Sequence, residues 1–211
     1  MPIRQLQISG VRNLQPLTIT PHSGVNFIYG ENGSGKTSIL EAIAVMAAGK
    51  SFRTSQLKHV MSHDADRMEL RMSVEDLHRG ECELDSLRLK GGDHLLKQNG
   101  SVLTSQAEAA HWLPVQIIEP NTFKLLAGSP EERRQFIDWG VFHVEPTYLN
   151  NWRHYRRVLG QRNAALKQGH GAESWNQGFL DAAAAVDQAR SRYARELQAA
   201  LVGQGEKLLG A

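Results

Sequence analysis

The stretch VNFIYGENGSGKTSILEAIAVMAAG, at residues 25–49, decides how this chain folds. Its centre, GENGSGKT at residues 30–37, fits the phosphate-loop pattern G-x-x-x-x-G-K-[ST] at every position. The apolar run at residues 25–29 predicts a buried strand before the loop. After the loop, apolar residues at helical spacing predict a helix over 36–48 that stops at Gly49; they are Ile39, Leu40, Ile43 and Ala47. This order of elements predicts a nucleotide-binding P-loop.

Each residue type in the loop suits a polyphosphate. Its glycines permit backbone conformations that other residues avoid, so that amide groups form an anion nest at the positive end of the following helix. We expect Lys36 to reach the β- and γ-phosphates of ATP and the Thr37 hydroxyl to coordinate Mg²⁺. The alternative is a glycine-rich turn that precedes a lysine by chance, and the flanking elements argue against it. The predicted nucleotide-binding residues of this segment are Gly30, Glu31, Asn32, Gly33, Ser34, Gly35, Lys36, Thr37 and Ser38.

The rest of the N-terminal part has the patterns of strands and hairpins. Two short strand-like runs precede the loop, and NG at residues 99–100 is a strong hairpin signal. A small-molecule kinase or GTPase usually places its loop after the first strand, so this arrangement favours an ATPase head of the ABC type. The predicted strands lie at residues 3–8, 17–19, 68–74, 82–89 and 115–119, the last of them buried and ended by Pro120.

From Pro130 onward the pattern is helical. Helices are predicted at 130–142, 146–167 and 173–202. The last helix has a heptad-like seam with one charged interruption, which is expected to pack against the neighbouring helices; the seam is Phe179, Ala183, Val186, Arg190, Tyr193, Leu197 and Ala200. The predicted fold is therefore an α/β P-loop NTPase of the ABC-ATPase type, an incomplete head with mixed β layers plus the P-loop helix, and a helical lobe. The predicted domains are a nucleotide-binding part at 1–128 and the helical lobe at 129–211.

Composition and charge exclude several classes of protein. The 211 residues are 41% hydrophobic and 22% charged, in the ordinary globular range. No apolar run has the length of a membrane span, and the N-terminus lacks a signal-peptide core, so we expect a soluble, cytoplasmic protein with no membrane partner. Glu81 and Glu83 flank the single cysteine, Cys82, and are expected to raise its pKa and leave it unreactive. A local excess of cations at 153–167 suits either phosphate contact or a solvated helix face, and the second is favoured for a charge run alone.

Several longer motifs resemble the RecF family of bacterial recombination-mediator ATPases. VRN at residues 11–13 stands where the family has Phe-Arg-Asn, and SFRTS at 51–55 is a family hallmark. Three further stretches resemble the family at their expected places, at residues 113–120, 123–149 and 155–167. The resemblance implies an ATP- and Mg²⁺-dependent, DNA-binding protein of replication, gap repair and SOS induction. At full length such a protein is expected to form an ATP-dependent homodimer that clamps double-stranded and gapped DNA, with RecO- and RecR-type proteins as partners.

The resemblance also implies roles for residues outside the loop. Arg12 and Asn13 are expected to lie beside the phosphate or ribose of the nucleotide, and the alternative is a turn with an exposed arginine. Gln116 stands at the Q-loop position, where the family's glutamine ligates Mg²⁺, so the implied metal ligands are Thr37 and Gln116. The alternative for Gln116 is a polar residue on a strand face. A structural role is favoured for three arginines: over DNA contact for Arg53, and over DNA contact or a dimer interface for Arg133 and Arg134.

Two motifs of the family are absent from this sequence. They are the signature motif, which resembles S-x-G-Q, and the Walker B run of apolar residues that ends in two acids. We therefore expect a partial family member that binds nucleotide weakly and hydrolyses it little or not at all, with no catalytic residue of its own. One alternative is another SMC-like or ABC-type repair ATPase. Another is a non-catalytic DNA-binding scaffold with an unused P-loop, against which the intact Lys36 and Thr37 argue.

Overall fold

Alternating apolar residues in the N-terminal half build an antiparallel sheet. The computed structural model describes residues 2–77, 79–119 and 124–210. Within them the sheet has six antiparallel strands in the order β2-β1-β3-β4-β5-β6. Strand β1 pairs with both β2 and β3, and β3 to β6 then follow one another as a meander. The strands are β1 Ile3–Ser9, β2 Leu17–Ile19, β3 Arg67–Asp76, β4 Gly80–Leu89, β5 His94–Gln98 and β6 Ser101–Val102. Four of the six predicted strands are therefore confirmed.

The register of the sheet gathers its apolar residues on one face. Leu6 of β1 lies opposite Met72 of β3, and Met72 lies opposite Leu84 of β4. All three are fully buried, and they form one apolar cluster with Met46 of helix α1, Lys36–Ala48. Side chains of a strand alternate between its two faces, so this register commits one whole face to the cluster. The sheet thereby fixes the helix that begins at the phosphate loop.

Cys82 lies within this core. It is opposite Val74 in the β3–β4 register and is buried. Burial, followed by the charge of Glu83, raises the pKa of the Cys82 thiol to about 11. The expected rise in pKa is therefore confirmed, but its larger cause is desolvation rather than the neighbouring acids. The thiolate is the reactive form, so a thiol with this pKa is inert at neutral pH.

The predicted turns and the predicted end of α1 are confirmed. Gly49 adopts the left-handed conformation, and its N–H donates to the Val45 carbonyl at 2.9 Å, which caps the helix. Asn99 and Gly100 both have positive φ, 49° and 80°, between β5 and β6. Asparagine and glycine tolerate this conformation better than other residues, which is why NG marks a tight hairpin.

Two predicted buried strands are wrong. Residues 25–29 form no strand, and three of their apolar side chains are largely exposed: Val25 at 76%, Phe27 at 86% and Tyr29 at 91%. Residues 115–119 also form no strand, and Ile118 is 84% exposed; Pro120 lies outside the described residues. A strand requires a hydrogen-bonded neighbour, and among the described residues the six strands of the sheet pair only with one another. The two predictions rested on apolar composition, which does not show whether a segment has a strand to pair with.

Helices make up the C-terminal part, as predicted. The chain divides into two compact units between Ile117 and Ile118, and each unit is described separately. The first unit contains α1 and α2, Gln106–Trp112. The second contains α3 Lys124–Ala127, α4 Pro130–Val144, α5 Tyr148–Gln168 and α6 Asn176–Leu209. Pro130 at the first position of α4 and the capping box of Ser129 and Glu132 give that helix the start that its sequence predicts. The proposed boundary at 128/129 stays a prediction.

The seam of α6 packs against its neighbours, and its charged interruption has a partner. Val186 of α6 is buried in a cluster with Val141 of α4 and Tyr148 of α5. Arg190 donates from Nε and Nη2 to the two carboxylate oxygens of Asp138 on α4, at 2.6 and 2.9 Å. The Tyr148 hydroxyl donates to the same carboxylate. The arginine therefore continues the helix interface with a charge-assisted pair instead of an apolar contact.

We expect Gly10→Ala to destabilise the first unit by roughly 2–3 kcal/mol. Gly10 has φ +69°, and a Cβ at this position would lie 2.1 Å from the carbonyl oxygen of Arg67. Gly100→Ala is the matched control, because Gly100 has φ +80° but a Cβ there would have no atom within 4 Å. The control should cost about 1 kcal/mol for its backbone conformation alone. Urea unfolding of both variants measures the difference, and equal losses would contradict a steric role for Gly10.

Candidate nucleotide-binding site

The glycines of the phosphate loop adopt the conformations that a phosphate nest requires. Gly30, Gly33 and Gly35 have φ of 148°, 84° and 94°. Side chains rarely adopt these values, so the glycines are a backbone requirement of the loop. Gly35 is also the N-cap of α1, where a Cβ would lie 2.3 Å from Cδ2 of Leu14. The conformational argument made from the sequence is confirmed.

The start of α1 directs backbone donors towards the loop. The helical hydrogen bond from the Ile39 N–H to the Gly35 carbonyl, at 3.1 Å, marks the first turn. The amides of Lys36, Thr37 and Ser38 precede it and have no carbonyl of the helix to pair with. Such amides, at the positive end of a 13-residue helix, suit an anion. The Thr37 side chain is exposed at this end and Ser38 is buried. The residues present therefore fit a polyphosphate and a hard cation.

The side chain of Lys36 is hydrogen-bonded to the first two residues of the phosphate loop. Its Nζ donates to the carbonyl oxygens of Gly30 at 2.9 Å and Glu31 at 2.7 Å. The ammonium has three protons, and phosphate oxygens are stronger acceptors than neutral carbonyls. These two hydrogen bonds hold the lysine at the loop, where its ammonium suits phosphate oxygens.

Asn13 braces the loop from the segment that follows β1. Its Nδ2 donates to the carbonyl oxygen of Gly33 at 2.6 Å, while Leu14 contacts the position of Gly35. The preceding residue, Arg12, has a left-handed backbone with φ 48°, which is uncommon for a side chain of this size. Its backbone N–H donates to the Val60 carbonyl at 2.8 Å. These contacts hold the turn after β1 beside the phosphate loop.

A buried carboxylate joins that turn to α1. Glu41 is fully buried, one turn into the helix. It accepts a bidentate pair from Arg12, with Nε 2.9 Å from Oε2 and Nη2 2.8 Å from Oε1. It also accepts a hydrogen bond from the Ser51 hydroxyl and a longer one from Nη1 of Arg53, at 3.4 Å. The turn after β1 and the segment after α1 therefore meet at one side chain.

The donors around Glu41 decide its charge. Burial acts most strongly and raises its pKa, but hydrogen bonds from Arg12 and Ser51 and the charges of Arg12 and Arg53 together outweigh burial. The pKa of Glu41 is therefore lowered, and the group is a carboxylate at neutral pH. The hydrogen bond to Glu41 likewise raises the pKa of Arg12. The pair is a charge-assisted contact in a low-dielectric site, where removal of one partner is costly.

The structure brings together some of the predicted site residues. Asn13 contacts the phosphate loop directly, through the Gly33 carbonyl. Arg12 is connected to the loop indirectly, because it pairs with Glu41 of the helix that follows the loop. Gln116 is exposed and outside any strand, and its Nε2 is 3.4 Å from the carbonyl oxygen of its neighbour Ile117. The strand-face alternative for Gln116 is therefore wrong. Contact of Arg12 and Asn13 with nucleotide, and the metal roles of Thr37 and Gln116, stay predictions.

The three further arginines make local contacts. Arg53 pairs with Glu41 in the first unit. In the second unit Arg133 donates from Nη1 to the Gly128 carbonyl at 2.9 Å, and Arg134 pairs with Glu131 one turn before it on α4. These contacts are those of the structural role that the sequence favoured for all three.

Sequence reasoning missed Glu41. The apolar spacing of α1 assigned Leu40 to the buried face, yet Leu40 is 49% exposed and the adjacent Glu41 is buried. A lone acid within ILEAIAVMAA was the available signal, since a charge in an otherwise apolar helix suggests a buried partner. Its partners, Arg12, Ser51 and Arg53, are 29, 10 and 12 residues away, so spacing along the helix does not reveal them.

Comparison with known proteins gives the same family as the motifs. Residues 5–105 match a family described as an AAA domain. A DNA replication and repair protein RecF from Pseudomonas putida (strain GB-1) is 38% identical over 202 residues, which cover 94% of this chain and 55% of that protein. The chain thus spans about half the length of the curated relatives that it matches. The resemblance to the RecF family is confirmed.

Solved structures support the fold class. A structure of the recombination mediator protein RecF with ATP, in the RecFOR pathway, matches with a TM-score of 0.81 at 27% identity, over 92% of this chain and 54% of that one. A structure from work on ATP-driven dimerization and DNA-stimulated activation of SMC ATPases matches with a TM-score of 0.54 at 22% identity, over 65% of this chain and 98% of that one. At that identity the second match concerns the fold alone. The predicted P-loop NTPase head of the ABC type is confirmed.

We expect Glu41→Gln to lower the free energy of unfolding by about 3 kcal/mol at pH 7, because it leaves Arg12 without its buried counter-charge. Since the pKa of Glu41 is lowered in the folded protein, its stabilisation is complete above its ordinary value of 4.5 and is lost as the pH falls through the folded value. The variant should therefore lose stability less steeply than the parent below pH 4.5.

Urea unfolding between pH 3 and pH 7, a range of roughly four units around that pKa, measures both effects. Glu75→Gln is the matched control, because Glu75 pairs with Arg4 on the exposed side of the sheet and should cost less than about 1 kcal/mol. A loss in Glu41→Gln no larger than in the control would show that the buried pair does not hold the site.

Proposed function

Because this chain is homologous to RecF proteins along nearly all of its length, we propose that it is the ATP-binding part of a recombination-mediator protein of DNA replication and repair. The observation that carries the proposal is the phosphate loop itself. Its glycines have positive φ, the first turn of α1 follows directly with its unpaired amides, and Lys36 is hydrogen-bonded to the Gly30 carbonyl at the start of the loop. The homology supplies the biological setting, and the loop supplies the chemistry.

Within this proposal each residue of the loop has a defined task. The amides of Gly33, Gly35 and Lys36 would donate to phosphate oxygens, and Lys36 would neutralise charge on the β- and γ-phosphates. Thr37 and Gln116 hold Mg²⁺ through oxygen, the ligand type that this cation prefers. When bound, Mg²⁺ would supply positive charge that offsets the negative charge of the phosphates. Arg12 and Asn13 fix the loop and approach the nucleotide from the turn after β1.

The longer protein is proposed to act as an ATP-dependent homodimer that clamps double-stranded and gapped DNA in the cytoplasm, in gap repair and SOS induction. Dimerisation is supported by the fold shared with SMC ATPases that undergo ATP-driven dimerization. Partners of the RecO and RecR type are supported by the RecFOR setting of the similar RecF structure. Within the described residues, no helix is both long and apolar enough to cross a membrane.

We expect Lys36→Ala to weaken binding of ATP·Mg²⁺ by at least tenfold, because the cation at the β- and γ-phosphates is removed. Lys58→Ala, which removes an exposed lysine from a 3-10 turn at Leu57–His59, is the matched control and should bind as the parent does. Titration of a fluorescent ATP analogue measures both affinities. Equal affinities of the parent and Lys36→Ala would contradict a working phosphate loop.

Retention of gapped DNA separates the proposed clamp from a DNA-binding scaffold with an unused P-loop. For the clamp we expect retention to rise with ATP·Mg²⁺, and this rise to disappear in Lys36→Ala, because nucleotide binding is coupled to DNA binding. Filter binding with and without ATP measures it, with Lys58→Ala again as control. Retention that is the same with and without ATP would support the scaffold instead.

A further inference from the structure

Helix α5, Tyr148–Gln168, carries charge of one sign only. Its 21 residues contain no aspartate and no glutamate. Its five permanent cations are Arg153, Arg156, Arg157, Arg162 and Lys167. The sequence alone favoured a solvated helix face over phosphate contact for these cations, and the structure separates them into two groups.

Two of the five cations have partners within the second unit. The guanidinium of Arg156 lies over the ring of Trp152, 5.6 Å from its centroid. Arg162 donates from Nε to Oδ1 of Asn176 at 2.9 Å and lies over the ring of Phe179. These contacts give both side chains a role in packing α5.

The other three cations are exposed and unneutralised. Arg153, Arg157 and Lys167 are all on the surface, and in the described part of the chain none of them forms an ion pair with a carboxylate. By contrast, Arg190 and Arg192 on α6 pair with Asp138 and Glu145. Two cations of α6 are therefore neutralised within the unit, whereas these three cations of α5 are not.

Helical geometry places the three cations on one stripe. At 3.6 residues per turn, positions 153, 157 and 167 fall within about 80° of arc and span roughly 21 Å along the axis. Between them on the same arc lie the exposed residues Gly160 and Ala164. Small neutral side chains between cations allow an extended polyanion to approach the helix closely, and no acid of α5 repels it.

We propose that this stripe of Arg153, Arg157 and Lys167 binds the phosphate backbone of duplex DNA. The inference rests on the proposed function in DNA repair, and it names the surface that makes the contact. A strand of duplex DNA carries a phosphate about every 3.4 Å of axis, so the stripe spans roughly six base pairs. The stripe has no apolar anchor of the kind that a membrane surface requires. Binding through phosphates alone is independent of sequence and sensitive to salt.

The test removes positive charge from exposed side chains, so that the packing of the protein is unchanged. In the 211-residue chain the triple variant R153Q/R157Q/K167Q is compared with K50Q/R195Q/K207Q, which removes three other exposed cations and makes the same change in net charge. A third variant, R153K/R157K, keeps the charge and changes only its geometry. Fluorescence anisotropy with a labelled duplex, measured over a series of salt concentrations, gives the affinity and its salt dependence.

We expect the triple variant to bind duplex DNA at least tenfold more weakly at low salt and to reduce the slope of log affinity against log salt by about 2.7, or 0.9 for each lost phosphate contact. The charge-matched control and R153K/R157K should stay within about threefold of the parent, because phosphate contact needs charge more than shape.

Two results would overturn the inference, in different ways. If the parent binds DNA and the triple variant binds no worse than the charge-matched control, DNA binding stands and α5 is not its surface. If the parent itself does not bind duplex DNA at low salt, the proposed DNA function of this chain fails together with the inference. A far-ultraviolet circular dichroism spectrum of the triple variant that matches the parent's shows that the helices of its second unit are folded.

Discussion

The buried carboxylate of Glu41 is the interaction on which the geometry of the nucleotide site depends. A charged group in an apolar cluster is stable only when its oxygens are hydrogen-bonded and its charge is compensated. Arg12, Ser51 and Arg53 supply those contacts from segments on either side of α1 in the chain. Because this one carboxylate needs all of these donors, the turn that carries Arg12 and the segment of Ser51 and Arg53 both pack against the helix that follows the phosphate loop. An apolar residue at this position would pack in the core but would leave both loops without an anchor.

The phosphate loop is held from outside as well as by its own glycines. The turn that brings Arg12 to Glu41 also brings Asn13 to the Gly33 carbonyl and Leu14 to Gly35. The register of β1 with β3 fixes where this turn begins, and burial of Met46 fixes α1 on the same sheet. A nest of amides binds phosphate well when it is already formed, because no free energy is then spent in ordering it. The chemistry of the loop thus depends on contacts that lie outside its eight residues.

Sequence reasoning succeeded where a local pattern determines local structure. The helix that follows the loop, its end at Gly49, strands β3 and β4, and the NG hairpin were all predicted because spacing or turn chemistry is sufficient for each. It failed at residues 25–29 and 115–119, since apolar composition shows that a segment favours burial but not which neighbour would bury it. It also failed at Leu40 and Glu41, because the apolar scale assigns the leucine to the core and the acid to solvent. Glu41 is buried instead of Leu40 because partners far away in the sequence compensate its charge.

In the second unit some cations are compensated by a carboxylate and others are not, and the stripe on α5 belongs to the second group. Arg190 interrupts an apolar seam and is compensated by Asp138, so its charge contributes to packing. Arg153 and Arg157 stand one turn apart on α5, where like charges at this spacing cost a helix about 0.2–0.5 kcal/mol. Within the described residues no carboxylate pairs with either of them, so the repulsion has no compensating contact inside the unit. A polyanion along the helix would convert that repulsion into attraction, because each phosphate lies close to a cation and releases its counterions on contact.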